Sequence, residues 1–363
     1  MLKKKRIAIL TGGGDCPGIN AVIRAVAKKA MLEHGWEVIG IKDGFEGLIH
    51  DRHRKLGPSE VSGLLTLGGT ILGTSNTSNP YRYAVKNGNE LIFKDVSKTA
   101  VGNLKSLGVE ALVCIGGDGT LGIASRLMND GVPIVGIPKT IDNDLRGTEV
   151  TFGFDTAVSI ATEAIDRVHT TAQSHHRIMI VEVMGRRAGW IALYAGVAGG
   201  GDIILIPEIP YTLKAVRDKV QERKKRGKRF SIVVIAEGAK TQGGDVVVRK
   251  IVETSTDPVR LGGVGFVLGE QLEKMIGTET RTVVLGHLQR GGSPTAADRI
   301  LATLLGAKAV EAVVAGEFGR MVAVRRGEIT TVALETASGG PRTVPRGHPL
   351  IAAARALGTS FGD

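Results

Sequence analysis

Between residues 111 and 144, two apolar runs are each followed by a polar turn, and a helical pattern separates the two runs. Residues 111–115 and 134–137 have the composition of buried strands, whereas residues 121–128 have the apolar spacing of a helix. A strand, a helix and a second strand in this order predict a parallel crossover unit, with both polar turns at the carboxyl ends of the strands. Open α/β sheets bind their ligands at that edge.

The same alternation continues along the chain and predicts the α/β class, with mainly parallel sheets covered by helices on both faces. A length of 363 residues favours two domains, and the soft boundary lies near Gly153. Residues 79–98 are predicted to form a loop or a hairpin, and residues 343–363 a short helix with a frayed tail. Further strands are predicted at 6–10, 38–41, 178–183, 203–206, 231–236 and 282–285, and helices at 19–29, 157–168, 188–198, 213–225 and 297–315.

The ends and the cysteines of the chain indicate a cytoplasmic protein without a membrane segment. Its first apolar run stops at Leu10 and passes into a glycine turn, which predicts a first β-strand rather than a signal peptide. No stretch reaches the roughly 18 apolar residues that a membrane helix needs. Cys16 falls in a glycine-rich turn and Cys114 in a predicted strand, and neither implies a disulfide framework or a metal site.

The chain is basic, with a formal net charge of +11 and a pI near 9.7. Such a charge suits nucleic acid, but it equally attracts phosphorylated metabolites to a site. Aromatic residues make up only 4% of the chain, which argues against a platform for stacking bases. A small phosphorylated substrate is therefore favoured, and nucleic-acid binding stays as an alternative from a different class.

Two glycine-rich turns are candidate phosphate-binding loops, although the first of them, taken alone, could be only a tight turn. Gly12, Gly13 and Gly14 follow the first strand, and the run Gly116-Gly117-Asp118-Gly119-Thr120 follows the strand at 111–115. Glycines at a helix N-terminus allow phosphate oxygens to approach backbone N–H groups, and the helix dipole favours negative charge there. Because a carboxylate would repel bare phosphate, Asp118 predicts a divalent cation between itself and the ligand, most simply Mg²⁺.

The second turn of the crossover unit, Thr140-Ile141-Asp142-Asn143-Asp144, offers two carboxylates. One of them could accept a proton from a hydroxyl nucleophile while the other supports the turn or orders metal-bound water. A helix N-cap is the structural alternative for an Asp-Asn pair. Together with the glycine turns, this motif predicts a phosphoryl-transfer site.

Later segments supply arginines and single polar residues near predicted strand ends. Arginine binds phosphate oxygens in a bidentate manner, although any one arginine could equally form a surface ion pair. His287 and Glu237 could bind a sugar phosphate, or they could be a hydrogen-bonded histidine and a cap. The basic run at 224–229 is most simply a solvated helix end. The arginines are Arg177, Arg186, Arg281 and Arg290.

Five motifs in sequence order resemble the phosphofructokinase family, over about residues 6–325. The resemblance implies two Rossmann-like three-layer domains. Residues 1–153 would bind the phosphoryl donor, with a return of the chain at about 290–340, and residues 154–289 would bind fructose 6-phosphate together with about 341–363. The motifs are the runs at 12–20, 116–120, 138–144, 184–186 and 286–294.

The resemblance also implies roles for single residues in an Mg²⁺-dependent 6-phosphofructokinase of glycolysis. Catalysis would fall to Asp142 as the base, Thr140 and Arg186, and Asp118 would hold the metal. Because the matches of Arg177 and Arg281 reach a neighbouring subunit's site in this family, a homo-oligomer with shared sites is implied. The implied donor-binding residues are Gly14, Gly117, Asp118, Gly119, Thr120 and Lys139; the implied fructose 6-phosphate-binding residues are Thr140, Ile141, Asp142, Arg177, Met184, Gly185, Arg186, Glu237, Arg281, His287, Leu288, Gln289 and Arg290.

Two positions point to different donors. A lysine at position 139 resembles the pyrophosphate-using branch of the family. Gly119, in contrast, stands where that branch usually has an aspartate, whose carboxylate fills the space of the ATP α-phosphate. The pattern resembles the mixed-substrate subgroup, and ATP is favoured over pyrophosphate. Asn76 stands where the ATP enzymes have an arginine that contacts the donor phosphates, and Arg82 is a candidate substitute for it. Phe230 replaces a histidine of the family's effector site, so the resemblance does not extend to classical effector control.

Another kinase with a Gly-Gly-Asp-Gly loop, such as an NAD or lipid kinase, is a remote alternative.

Overall fold

The computed structural model describes residues 4–88, 90–254 and 259–363. Within them the strands are β1 (Arg6–Thr11), β2 (Glu37–Ile41), β3 (His53–Leu56), β4 (Tyr83–Asn87), β5 (Glu90–Lys94), β6 (Ala111–Gly116), β7 (Ile134–Pro138), β8 (Ile178–Val183), β9 (Ile203–Leu205), β10 (Ser231–Ala236), β11 (Val248–Ile251), β12 (Val259–Leu261), β13 (Thr280–Val284), β14 (Arg320–Arg325) and β15 (Glu328–Ala333). The α-helices are α1 (Ile19–His34), α2 (Phe45–Ile49), α3 (Ser97–Ser106), α4 (Asp118–Asn129), α5 (Phe154–His175), α6 (Trp190–Ala198), α7 (Leu213–Lys225), α8 (Val264–Ile276), α9 (Ala296–Val314) and α10 (Pro349–Ala356).

Two larger sheets organise the described residues and confirm the α/β class. The first has seven strands in the order β15-β14-β7-β6-β1-β2-β3, and it is parallel except where β3 and β15 pair at its two edges. The second has four parallel strands in the order β13-β8-β10-β9. The crossover unit predicted at 111–137 forms as β6, α4 and β7.

Alternation of side chains along the strands builds three apolar layers. Ile7 and Ile9 of β1 share one core with Met179 and Val181 of β8, so one continuous core joins the facing sides of both sheets. The neighbouring positions on β1 face a second core under α3 and α4. Those on β8 face a third, under α7 and α8. This period of two follows from the pleat of a strand.

The chain passes between the two sheets more than once. After β13 it enters α9, which packs on α1, and β14 then pairs with β7 in the first sheet. Ser360, near the end of the chain, bridges to Ile203 of the second sheet. The proposed division into two domains stays a prediction, although the strands are distributed between the sheets as that division requires.

The described residues of 79–98 and the tail after α10 are both ordered in the structure. Within 79–98 the hairpin alternative is confirmed, because β4 and β5 pair antiparallel there. The frayed tail after α10 was wrong: Phe361 is completely buried, and Gly362 accepts a hydrogen bond from the backbone N–H of Thr212. The buried aromatic side chain and backbone hydrogen bonds therefore hold the last residues in place. Among the described residues, no helix combines the length and apolarity needed to cross a membrane.

Candidate functional site

A cleft of about 770 Å³ lies at the carboxyl ends of β1, β6 and β7 and beneath the loops that follow β8, β10 and β13. Most of the predicted site residues line it: Gly14, Gly117, Asp118, Gly119, Thr120, Lys139, Thr140, Ile141, Asp142, Met184, Arg186, Glu237, His287 and Arg290. Residues from both sheets thus face one space. This is the place where α/β sheets bind ligands.

The two glycine turns meet through Thr120. A Cβ atom at Gly12 would lie 2.6 Å from the Thr120 side chain, and one at Gly116 only 2.3 Å from it. The amide of Gly12 also donates to the carbonyl of Ile115 at 2.9 Å, which fixes the end of β1 beside β6. Glycine is therefore required for the close approach of the turns, and the backbone of both faces the cleft.

Arg290 enters the cleft next to the first turn. Its Nη1 donates to the carbonyl of Asp15 at 3.1 Å, and a Cβ atom on Gly14 would lie 2.2 Å from the same nitrogen. Its Nε is buried and has no hydrogen-bond partner within the described part of the chain. The absence of a side chain at Gly14 thus makes room for a guanidinium group that can still bind an anion.

Lys139 lies at the floor of the cleft. The side chain is buried, with 4% exposed, and its Nζ donates to the carbonyl of Gly14. Burial lowers the pKa of Lys139, because charge is costly away from water. The lysine therefore ties the β7 turn to the first glycine turn and places an amine beneath the cleft.

Asp142 presents an acceptor without a partner. Its backbone N–H donates to the Thr140 hydroxyl at 3.0 Å, whereas its Oδ1 is shielded from solvent and receives no hydrogen bond from residues 4–88, 90–254 or 259–363. Burial raises the pKa of Asp142. An unsatisfied carboxylate oxygen at the wall of a cleft is costly, so it indicates a site for a donor carried by a ligand.

The neighbouring carboxylates are also perturbed. Burial, with Asp142 and Asp118 nearby, raises the pKa of Asp144 to about 7. Glu237 follows β10, and burial with the charges of Asp142 and Glu182 raises its pKa to about 7 as well. Glu237 lines the cleft, and strongly perturbed acids in clefts are typical of functional sites.

Asp118 stands in the first turn of α4 and forms an ion pair with Arg187, with 3.1 Å between Oδ2 and Nη1. Both side chains are partly exposed, and the pair connects the first sheet to the loop after β8. Sequence reasoning singled out Arg186 and missed Arg187. The only signal was its position beside the predicted arginine.

Five predicted residues do not line the cleft. Arg177 and Arg281 both form ion pairs with Glu279 at the β13 edge of the second sheet. Gln289 is completely buried and accepts a hydrogen bond from the Met184 amide at 3.4 Å, so in this structure it supports the wall. The other two are Leu288, which is 69% exposed, and Gly185, whose φ of +131° lies in the region that favours glycine.

Some lining residues were not predicted. Asp15 follows the first glycine turn directly, and its place in that motif was the available signal. Arg249 and Lys250 of β11 reach the cleft from a small hairpin whose strand pattern carries no chemical motif. The remaining ones are Thr74, Ser75, Val259 and Leu261. Gly13 of the first glycine turn and Asn76, whose position the resemblance had marked, also line the cleft.

A second cleft, of about 780 Å³, adjoins the first and shares Gly119 with it. Its wall includes Phe93 of the β4–β5 hairpin, and the Arg82 guanidinium lies 3.8 Å from the centre of that ring. Arg126 of α4 contributes a further cation. A planar apolar group with flanking cations suits an aromatic ligand with negative charge nearby.

Comparisons with known proteins agree with this geometry. The sequence profile of the family described as "Phosphofructokinase" matches residues 6–313. The chain is 54% identical to "ATP-dependent 6-phosphofructokinase 2" of Clostridium perfringens, with 99% of each chain covered. It is 52% identical to "Pyrophosphate–fructose 6-phosphate 1-phosphotransferase" of Amycolatopsis methanolica, with 94% of this chain and 96% of that one covered.

A solved structure of phosphofructokinase from Pichia pastoris in the T-state matches with a TM-score of 0.79 and 32% identity, over 93% of this chain. The present chain spans 36% of the length of that protein. The family profile, the two full-length relatives and the fold all give the same result. This chain belongs to the phosphofructokinase family.

Proposed function

We propose that this protein is a 6-phosphofructokinase, which transfers the terminal phosphoryl group of ATP to the 1-hydroxyl of fructose 6-phosphate. The observation that carries the proposal is the unpartnered, buried Oδ1 of Asp142 in a cleft between two glycine turns and a set of basic side chains. The Clostridium perfringens relative, named for this activity, is similar over nearly its whole length.

Asp142 serves as the general base. Its Oδ1 takes the proton of the 1-hydroxyl while that oxygen forms a bond to the terminal phosphorus of the donor, and the bond from phosphorus to the leaving phosphate oxygen breaks. Thr140 holds the Asp142 backbone through its hydroxyl. Arg186 faces the same space and balances charge on the moving phosphoryl group. Positioning and charge neutralisation are the main contributions a protein makes to such a transfer.

Asp118 is the residue that would hold Mg²⁺. Within the described residues no group of three or more His, Cys, Asp or Glu side chains forms a metal cage. A single partly exposed carboxylate fits Mg²⁺ nonetheless, since this ion keeps several waters and takes further ligands from substrate phosphates. When bound, the ion would neutralise donor phosphate charge. The ion pair with Arg187 would compete with Mg²⁺ for the Asp118 carboxylate.

The sugar phosphate would be bound opposite the donor. Arg290 offers a guanidinium group with a buried Nε that has no partner in the described chain, and His287 lines the same wall. Glu237 would accept hydrogen bonds from the sugar hydroxyls. A guanidinium group suits phosphate because its planar fork matches the oxygen geometry.

The second cleft favours ATP as donor. It continues from Gly119, so a nucleoside attached to phosphates in the first cleft could occupy it beside Phe93 and Arg82. Pyrophosphate would leave this volume empty. Pyrophosphate remains the second candidate donor, because the Amycolatopsis methanolica relative is named for its use.

A homo-oligomer with shared sites belongs to the same proposal. Arg177 and Arg281 lie outside the cleft of their own chain and are held together by Glu279 at the β13 edge. Two arginines fixed at a sheet edge could supply phosphate contacts to a neighbouring copy.

The substitution Asp142→Ser tests the catalytic assignment. We expect kcat to fall about 10²- to 10⁴-fold, the usual contribution of a general base, with fructose 6-phosphate binding changed by less than about threefold. Product formation and calorimetric binding are the measurements. Asp166→Ser, an exposed position on α5, is the matched control. Substantial turnover by the Asp142 variant would refute the role.

A further inference from the structure

Arg342 lies outside the profile match at 6–313, yet it contacts the turn that carries Asp142. Its Nη2 donates to the carbonyl of Asn143 at 2.6 Å, and its backbone N–H donates to the carbonyl of Asp144, also at 2.6 Å. One residue therefore bonds the two residues that follow the proposed base. No feature of the sequence near Arg342 predicted this contact.

Arg342 is also fixed to α6. Its guanidinium lies 4.4 Å from the centre of the Trp190 ring, and the indole N–H of Trp190 donates to the Arg342 carbonyl at 2.8 Å. Two residues further on, the Val344 amide donates to the Glu208 carboxylate at 2.8 Å, and the same carboxylate accepts from the Gly189 amide at the start of α6. A guanidinium group that stacks on an indole ring and donates to the Asn143 carbonyl has little freedom to turn, although its Nε is buried without a partner in the described chain.

The turn has an uncommon backbone conformation, and contacts on both sides hold it. Asn143 has a φ of +51°, in the left-handed region that non-glycine residues adopt uncommonly and that Asn, Asp and His adopt more readily than the others. On one side Thr151 fixes the turn, with its amide 3.1 Å from the Asn143 Oδ1 and its hydroxyl 2.7 Å from the Thr140 carbonyl. Arg342 fixes the other side. The direction of the Asp142 carboxylate depends on both.

We propose that Arg342 is a positioning residue for the phosphoryl transfer, which holds the Asp142–Asp144 turn between the two sheets so that the Asp142 carboxylate faces the cleft. The inference rests on the proposed function. Arg342 itself lies outside the groups proposed to touch substrate, so its loss would act by moving the Asp142 carboxylate. A misplacement of a catalytic group by about 1 Å can cost roughly 100-fold in rate.

The test compares Arg342→Ala with Arg342→Lys and with the control Arg346→Ala. Arg346 is exposed on the same segment, and its Nε donates to the Glu208 carbonyl at 3.2 Å. We expect Arg342→Ala to lower kcat about 10- to 100-fold, with the KM for fructose 6-phosphate changed less than about threefold. A low, non-denaturing concentration of guanidinium ion should restore at least part of the kcat of this variant, and not raise that of the control.

Hydrogen–deuterium exchange supplies a readout that does not depend on activity. Amides at 140–151 should exchange faster in Arg342→Ala than in the wild type, while those of β6 stay protected. An alanine variant that folds with wild-type kcat and wild-type exchange at 140–151 overturns the proposal. Arg342→Lys, which can still donate to the Asn143 carbonyl, should keep more of the wild-type kcat than alanine does. If the alanine variant fails to fold, Arg342→Met takes its place, because methionine has no donor for that carbonyl, and wild-type kcat and exchange in that variant overturn the proposal. A wild-type protein that forms no fructose 1,6-bisphosphate would instead refute the proposed function, and the exchange result would still judge the positioning role.

Discussion

Glu237→Gln should make the protein more stable at pH 8 than the wild type and leave the stability at pH 4.5 nearly unchanged. Burial and the neighbouring carboxylates raise the pKa of Glu237 from 4.5 to about 7. Below pH 4.5 the carboxyl group is neutral in both folded and unfolded chains. Between 4.5 and 7 the unfolded chain ionises first, so the folded state loses stability as the pH rises.

The size of the effect follows from that pKa. Raising it from 4.5 to about 7 costs the folded state about 3 kcal/mol once the pH exceeds 7, and glutamine removes this cost. For 363 residues the unfolding entropy is about 0.8 kcal/mol per kelvin, so the gain corresponds to a Tm increase of about 4 °C.

Differential scanning calorimetry across pH 4.5 to 8 is the assay, with the exposed Glu270→Gln as the control for loss of one charge. The proposed sugar contact adds a second expectation: the KM for fructose 6-phosphate should rise in the Glu237 variant. A Tm difference between Glu237→Gln and the wild type that is the same at every pH would refute the reasoning, because the cost would then not come from ionisation.

Two further substitutions test the walls of the cleft. Gly14→Ala should raise the KM for fructose 6-phosphate about 10- to 100-fold, because the new Cβ would lie 2.2 Å from the Arg290 Nη1 and displace a charged hydrogen-bond donor. Steady-state kinetics measure this KM, with Gly102→Ala as the control because space is open at Gly102, and an unchanged KM would contradict the prediction. Arg187→Ala should tighten Mg²⁺ binding by at most about fivefold, because the exposed ion pair with Asp118 no longer competes and such pairs contribute up to about 1 kcal/mol. Calorimetric titration of Mg²⁺ with the donor present measures this affinity, and weaker Mg²⁺ binding would count against Asp118 as the metal ligand.

The local parts of the fold could be predicted because their signals are local. The strand at 178–183 and the helix at 213–225 have the predicted bounds, since buried strands are continuous apolar runs and helices repeat every 3.6 residues. The glycine turns could be placed because clustered glycines after an apolar run mark a turn at the end of a strand. The buried tail at Phe361 was missed, since a single aromatic side chain has no periodic pattern.

Contacts between distant residues could not be predicted in the same way. Arg342 and Asn143 are 199 positions apart, and Arg187 and Asp118 are 69 apart. Each contact depends on how the two sheets are placed against each other, and no local pattern records that placement. The roles assigned to residues in the cleft remain predictions, although the structure brings most of them together.

The most direct measurement is formation of fructose 1,6-bisphosphate from fructose 6-phosphate and Mg²⁺, with ATP and pyrophosphate supplied in parallel at matched concentrations. The account predicts product with ATP, because the space beside Gly119 can hold a nucleoside. Product with pyrophosphate alone would contradict the donor assignment and give Lys139 the deciding role. No product with either donor would contradict the proposed function itself.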